Sequence, residues 1–270
     1  MNILLLGDVV GPSGVEAVVT NLPKIIDNYK LDFVVVNGEN AADSGRGITN
    51  KISEQLFKSG ADVITSGNHV WDQKETAEYI NKEHRLLRPE NLIEGSPGKG
   101  FGIFNSKNNK KVAVINLMGN VFMSKCENVF KAAKIFTETI KLKIDADFIV
   151  VDMHCEMTSE KMAMGHFFDG KVTLFCGTHT HVPTLDYRIL DKGTAYQTDT
   201  GMCGDYNSVI GMNKENSIKR FFNDPTAKKH YPALSEATIS GLMVECNDQT
   251  GLAKKVLPII LGGCLKVKTS

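Results

Sequence analysis

Short apolar runs alternate with segments of helical periodicity over the first third of the chain. Residues 2–6 form a near-continuous apolar run that ends in Gly-Asp, and residues 32–37 (DFVVVN) form a second. Such runs are typical of strands buried on both faces of a sheet. From Val15 to Tyr29 the apolar residues recur at helical spacing, with Pro23 inside the pattern, where we expect a kink or a restart of the helix. Further predicted elements are a helix around Ile52, Leu56 and Phe57, a strand at 62–65 and a helix at 73–80. This β-α-β-α-β order predicts a parallel sheet with helices on its faces.

The rest of the chain repeats the two patterns less regularly. Two apolar runs flank the polar loop SKNNKK and predict a strand pair at 101–104 and 111–117. Further predicted elements are a helix through Val129, Ala133, Phe136 and Ile140, a helix in SEKMAMGHFF, and strands at 147–153, 171–176, 185–190, 194–198, 237–246 and 253–261. The sequence has no internal repeat, no low-complexity tract and no long linker. We therefore expect a single domain over residues 1–270.

Polar side chains follow five of the predicted strands. They are Asp8, Glu39 with Asn40, Asn68 with His69, His154, and His179 with His181. Ligands of open α/β sheets bind outside the carboxyl ends of the strands, so we expect these side chains to meet at one edge. Carboxylate and amide oxygens together with imidazole nitrogens suit manganese, iron or zinc. Two metal ions about 4 Å apart need a shared ligand, and Glu39, near the middle of the array, is the candidate for a bridging carboxylate.

Each of these residues taken alone has an ordinary structural alternative. An Asp after a strand is typical of a helix N-cap, and Glu39-Asn40 is compatible with a loop bend. A lone His154 is compatible with a hydrogen-bonded core residue, and Asn68-His69 with a turn. The metal-site hypothesis rests on a coincidence: all five segments place oxygen or imidazole donors at the same position, the end of a strand.

The role of the loop ADSGRGIT also stays open. Arg46 is either a rim residue that meets substrate or part of a turn that leads to Thr49 or Asn50 as a helix N-cap.

Composition and charge exclude several classes of protein. The 31 basic and 31 acidic residues give a formal net charge of zero, so no electrostatic footprint of a nucleic-acid binder is present. No stable nucleic-acid complex is expected. The six cysteines include no C-x-x-C pair, which argues against a thiolate zinc site. No apolar run is long enough to span a membrane, and the amino terminus lacks the features of a signal peptide. We expect a cytoplasmic protein with free thiols and no membrane partner.

The strand-end motifs resemble those of the calcineurin-like metallophosphoesterases. Gly7-Asp8, Gly67-Asn68-His69, His154 and the segment Gly177 to His181 match that family's pattern. Val10 stands where its D-x-H motif has histidine, and Gly38-Glu39-Asn40 replaces G-D-x-x-D. At both departures the chain resembles the YmdB-like branch of the family. This resemblance runs from residue 1 to about 260. The motifs that carry it are GDVVG (7–11), NGENAA (37–42), GNHVWD (67–72), HCEMTSEK (154–161), GTHTHVPT (177–184) and SVIGM (208–212).

The resemblance implies a fold, a set of ligands and a reaction. The implied fold is α/β, a metallophosphoesterase-type β-sandwich of two mixed sheets flanked by helices in four α/β/β/α layers. Asp8, Glu39, Asn40 and His181 would hold one metal ion, Glu39 would bridge, and Asn68, His154 and His179 would complete the second. Iron or manganese is the implied metal, with zinc or magnesium as alternatives. His69 would be the general acid in the hydrolysis of phosphodiesters, notably 2′,3′-cyclic AMP, by a metal-bridging hydroxide. The family also implies a homo-oligomer.

Two other functions remain compatible with the same residues. A phosphomonoesterase or nucleotidase would use the same site, and relative turnover of a diester and a monoester would separate it from a phosphodiesterase. A regulatory protein that binds nucleotide without hydrolysis would not need His69, because binding requires no acid. Trp71 and Asp72 are candidates to orient the loop of His69. The sequence does not identify the carboxylate that would hold the far nitrogen of His69.

Overall fold

The computed structural model describes residues 1–265. The helices are α1 (Gly11–Tyr29), α2 (Asn50–Ser59), α3 (Thr76–Tyr79), α4 (Val129–Thr139), α5 (Thr158–Phe168) and α6 (Lys214–Phe221). The strands are β1 (Asn2–Leu6), β2 (Asp8–Val9), β3 (Phe33–Asn37), β4 (Val63–Thr65), β5 (Phe101–Asn105), β6 (Lys111–Met118), β7 (Phe148–His154), β8 (Leu174–Thr178), β9 (Arg188–Ile189), β10 (Ala195–Gln197), β11 (Met202–Cys203), β12 (Ile239–Cys246) and β13 (Ala253–Leu261). The predicted domain ran to residue 270, and its last five residues lie outside the described part.

Two mixed sheets form the centre of the molecule. The first has the order β13-β12-β1-β3-β4, in which β1, β3 and β4 are parallel and β12 is antiparallel to both of its neighbours. The second has the order β5-β6-β7-β8-β10-β9, with β6, β7, β8 and β10 parallel and an antiparallel strand at each edge. The short strands β2 and β11 form a separate parallel pair. The parallel arrangement predicted for the first three predicted strands, now β1, β3 and β4, is confirmed.

The side chains of the strands explain the layering, because they alternate between two apolar environments. In the first sheet, Ile3 and Leu5 pack toward the second sheet in a core that includes Phe148 and Val150. Leu4 and Leu6 pack on the other face with residues of α1 and α2. The outer face of the second sheet packs with α4 and α5. The result is the predicted four-layer order of helices, sheet, sheet and helices.

Some elements differ from the sequence prediction. The helix α1 continues through Pro23, so a restart there is wrong. Pro23 is exposed, whereas Leu22 and Ile25 beside it are buried and hold the helix on the sheet. The helix predicted at 73–80 is reduced to the single turn α3 between hydrogen-bonded turns. The strands β2 and β11 and the helix α6 were not predicted from the sequence.

No helix within residues 1–265 combines the length and the apolar character that crossing a membrane would require.

Candidate metal and active site

The structure brings all eight predicted site residues together at the carboxyl ends of the strands. His154, the last residue of β7, is at the centre of the cluster. Its Nε2 atom lies 3.0 Å from Nδ1 of His179, 3.2 Å from Oδ1 of Asn68 and 3.4 Å from Oε1 of Glu39. The other contacts are those of His154 Nδ1 with Asp8 Oδ1 at 3.4 Å, His181 Nε2 with Asn40 Oδ1 at 3.1 Å, and the His69 amide with Glu39 Oε1 at 2.6 Å.

Backbone geometry at the strand ends places these side chains. The amide of His179 donates to Oδ2 of Asp8 over 2.9 Å, which joins the end of β8 to β2. A Cβ atom at Gly67 would overlap the imidazole of His154, so the absence of a side chain there lets the loop after β4 approach β7. Asn68 reaches His154 for this reason. The turn that the sequence left open for Asn68-His69 is present, and it also packs against the end of β7.

The three buried or half-buried histidines each have one ring nitrogen held by a residue outside the predicted ligand set. Nδ1 of His181 donates to the carbonyl of Ile210 over 2.8 Å, because a carbonyl oxygen can only accept. Nε2 of His179 lies 3.1 Å from Oε2 of Glu156. Nδ1 of His154 lies 3.1 Å from Oγ1 of Thr178. The opposite nitrogen of each ring contacts another predicted ligand residue, which is the arrangement that partners of metal-binding histidines impose.

The donor set fits a pair of cations. Asp8 Oδ1 and Glu39 Oε2 are buried and have no hydrogen-bond partner in the described part of the chain. Burial raises the pKa of Asp8 and of Glu39 to about 7, so neither carboxylate is stable as an isolated anion there. Burial lowers the pKa of His154 to about 4 and that of His179 to about 2, which keeps both imidazoles neutral, the form that binds metal. Metal ions among these groups would stabilise the ionised carboxylates.

Two amides are part of this fit. Taken without them, the His, Cys, Asp and Glu side chains of residues 1–265 include no group of three or more that could hold a metal ion. Asn40 and Asn68 add the oxygens that complete the two halves of the cluster. Asn40 Nδ2 donates to the carbonyl of Gly45 over 2.8 Å, and this contact turns Oδ1 toward His181.

A cavity of about 420 Å³ opens onto the cluster. Asn40, His69, His179 and His181 line one side of it. Thr49 accepts a hydrogen bond from the Ile52 amide and caps α2, so the predicted turn with Thr49 as N-cap is confirmed. Arg46 also lines the cavity, and its contact with substrate stays a prediction. The cavity therefore gives a bound molecule direct access to His69 and to the metal-ligand candidates.

The partner of His69 is a residue that the sequence did not identify. Nδ1 of His69 lies 2.9 Å from Oδ2 of Asp72, three positions along the same turn. A carboxylate in this position fixes the orientation of the ring and leaves its other nitrogen free. The motif GNHVWD did contain a signal for this contact, because Asp72 follows His69 by three positions and residues three apart in a turn are close in space.

Two buried supporting networks were also missed. Asp152 accepts hydrogen bonds from Asn37 at 2.9 Å, Thr65 at 2.5 Å and Thr178 at 2.8 Å. Lys161 in α5 donates to Asp199 over 2.7 Å, and both side chains are buried. An Asp inside an otherwise apolar strand was a signal for the first network. The second joins residues 38 positions apart and had no local signal.

Residues 4–259 match the family described as YmdB-like protein. The chain is 44% identical over 262 residues to the 2′,3′-cyclic-nucleotide 2′-phosphodiesterase of Bacillus subtilis (strain 168), and the match covers 97% of each protein.

Two solved structures are also similar over nearly their full length. A hypothetical protein from Thermus thermophilus has a TM-score of 0.89 at 36% identity, covering 98% of this chain and 100% of that one. A structure described as a novel phosphatase from Mycoplasma pneumoniae has a TM-score of 0.88 at 38% identity, covering 97% of this chain and 93% of that one.

Proposed function

The chain belongs to the YmdB-like family of metallophosphoesterases, and on that premise we propose that it is a metal-dependent phosphodiesterase that hydrolyses 2′,3′-cyclic nucleotides. The position of His69 supports this reaction best. A histidine held by a carboxylate lines the same cavity as the ligand candidates His179 and His181. A protein that only bound nucleotide would not need such an acid.

Two metal ions would be divided between the halves of the cluster. Asn40 contacts His181, whereas Asn68 and His179 both contact His154. We assign Asp8, Glu39, Asn40 and His181 to one ion, and Asn68, His154 and His179 to the other, with Glu39 shared. When bound, the ions would lower the pKa of a water molecule toward neutrality and neutralise the phosphoryl oxygens. The mixture of oxygen and imidazole donors suits iron or manganese.

His69 would supply the proton that the leaving oxygen needs. Asp72 holds Nδ1, so the other ring nitrogen is the one available to a phosphodiester in the cavity. The Glu39 carboxylate also accepts from the His69 amide and fixes the position of the residue beside the ligand cluster. A positioned general acid typically contributes 10²- to 10⁴-fold to a rate.

The first test is hydrolysis of 2′,3′-cyclic AMP by manganese- or iron-loaded protein. We expect turnover that a chelator abolishes, and a loss of about 10²- to 10⁴-fold in kcat for His69→Ala with unchanged metal content. His84→Ala, at an exposed histidine outside the cavity, is the matched control and should retain full activity. Turnover that survives complete removal of metal would contradict the proposal, as would an active His69→Ala variant.

A phosphomonoesterase is the second candidate, because one structural relative is described as a phosphatase. Comparison of kcat/KM for 2′,3′-cyclic AMP with the values for adenosine 2′-monophosphate and 3′-monophosphate decides between a phosphodiesterase and a phosphomonoesterase.

The cytoplasmic location and the homo-oligomeric state stay predictions.

A further inference from the structure

The cavity has a second, apolar side that the reaction itself does not require. It consists of Val209, Ile210, Met212 and Phe221, which line the cavity together with Ser217 and His230. Ile210 is 54% exposed and Phe221 is 82% exposed, so both present apolar surface to a molecule in the cavity. Large apolar side chains left open beside a reactive centre are typical of small-molecule sites.

The segment SVIGM fixes this apolar side relative to the metal-ligand candidates. The carbonyl of Ile210 accepts the hydrogen bond from His181, so the residue that lines the cavity also orients a ligand. Val209 and Met212 exchange two backbone hydrogen bonds of 2.9 Å, and the Gly211 amide donates to Ser208 Oγ over 2.8 Å. The distance from the apolar side to the reacting centre is therefore set by a closed turn.

Helix α6 presents Phe221 to the same cavity. Ser217 and Phe221 are four residues apart, hence on one face of the helix, and both line the cavity. The start of α6 is anchored by Asn213, whose side chain accepts from the Asn216 amide, and Ser217 Oγ donates to the Asn213 carbonyl over 2.8 Å. Phe222, the next residue, is equally exposed at 81% but does not line the cavity.

We propose that this apolar side is a nucleobase subsite and that the base stacks on Phe221. The inference rests on the proposed phosphodiesterase activity and deepens it. A nucleotide has a charged phosphate and a flat base with an aromatic face, and the cavity has both polar side chains and apolar ones to meet them. The volume of about 420 Å³ lies within the range of small-molecule sites, about 300–1,000 Å³. Because every base has a π-face, stacking would accept purines and pyrimidines alike.

The experiment compares two cyclic phosphodiesters, of which only one carries a nucleoside. 2′,3′-Cyclic AMP has adenine and ribose, whereas glycerol 1,2-cyclic phosphate has the same five-membered phosphate ring without either. For Phe221→Ala we expect kcat/KM for 2′,3′-cyclic AMP to fall by about 5- to 150-fold, mainly through KM. The value for glycerol 1,2-cyclic phosphate should stay unchanged. Phe222→Ala is the matched control and should change neither.

Three results would overturn the subsite. The first is an equal loss of kcat/KM on both substrates, and the second is an equal effect of Phe221→Ala and Phe222→Ala. The third is a change in the molecular mass of the protein in solution on Phe221→Ala, which would make this face a contact between copies of the chain. Binding of adenosine to the metal-loaded proteins, followed by saturation-transfer NMR, separates the subsite from the proposed reaction. If wild-type protein hydrolyses neither substrate but binds adenosine in a Phe221-dependent manner, the proposed function fails and the subsite stands.

Discussion

Three histidines that line the cavity each have one ring nitrogen held by a neighbouring residue. Asp72 holds His69, and the Ile210 carbonyl holds His181. Glu156 contacts the outer nitrogen of His179 at 3.1 Å. Acceptors in these positions decide which ring nitrogen carries hydrogen and which is free to bind a metal or a substrate. The chemistry of the site therefore depends on the second partner of each residue as much as on the residue itself.

Glu39 gives a prediction about pH at the scale of one residue. Burial raises its pKa from the ordinary 4.5 to about 7, so the folded protein binds this proton more tightly than the unfolded chain does. The ionised carboxylate therefore destabilises the metal-free fold progressively from pH 4.5 to 7, and the effect is complete above pH 7. Metal-free Glu39→Gln lacks this titration. We expect its stability to rise relative to that of the metal-free wild type over that interval, by up to about 3 kcal/mol.

Urea unfolding of the two metal-free proteins at a series of pH values measures this difference. Saturating manganese should reverse the order, because the carboxylate then has its cation and the amide binds it more weakly. A stability difference that stays constant from pH 4.5 to 7 would show that burial does not shift the titration of Glu39.

At the scale of elements, a buried ion pair holds the turn that carries two histidines. The backbone of His179 and of His181 lies in the left-handed region, with φ of 99° and 64°, which side chains other than glycine rarely adopt. Oδ2 of Asp199 accepts from the amide of Thr180 between them over 3.1 Å and from its hydroxyl over 2.7 Å. Lys161 of α5 donates to the same oxygen. The helix thus fixes a strained turn through one carboxylate.

Removal of the lysine should therefore be costly. We expect Lys161→Met to lower the free energy of unfolding by about 3–5 kcal/mol, because Asp199 would be left buried without its cation. The matched control is Lys82→Met, since Lys82 pairs with Glu78 on the surface, where solvent screens the pair and little stability is lost. Urea unfolding measures both. Equal effects of the two substitutions would refute a structural role for the buried pair.

At the scale of the whole molecule, the site lies where the two sheets meet. Asp152 of β7 accepts from Asn37 and Thr65, at the ends of β3 and β4 in the first sheet, and from Thr178 of β8 in its own sheet. The inner faces of both sheets also share one apolar core. Neither sheet can lose its structure without exposing the core face of the other and breaking this network.

One cooperative transition should follow from the shared core. Fluorescence of Trp71, the single tryptophan, reports on the loop after β4, whereas far-UV circular dichroism reports on all helices and strands. We expect the two urea curves to coincide. Asp152→Ala should shift both curves together to lower urea, because it leaves buried donors unsatisfied at a cost of about 1–3 kcal/mol each. Separate midpoints for the two probes would contradict the prediction of one domain.

The sequence alone determined the elements that depend on local periodicity. Strands such as β3 and β7 are runs of apolar residues that stand out whatever their neighbours are, and the polar residues at their ends indicated the site. Elements without such a pattern were missed. The helix α6 (KENSIKRF) has few apolar residues, and β2 and β11 have two residues each, so their structure depends on pairing rather than on their own composition.

Tertiary structure decided the contacts that orient the reactive groups. The carbonyl that orients His181 belongs to a residue 29 positions away, and the Asn37 side chain bound to Asp152 lies 115 positions away. The hydrophobic pattern of a segment does not show which other segments it will contact. Strand order, and close approaches of the backbone such as that at Gly67, result from packing of the whole chain. Local patterns therefore determined which residues could take part in the site, and the packing of the two sheets decided what each of them faces.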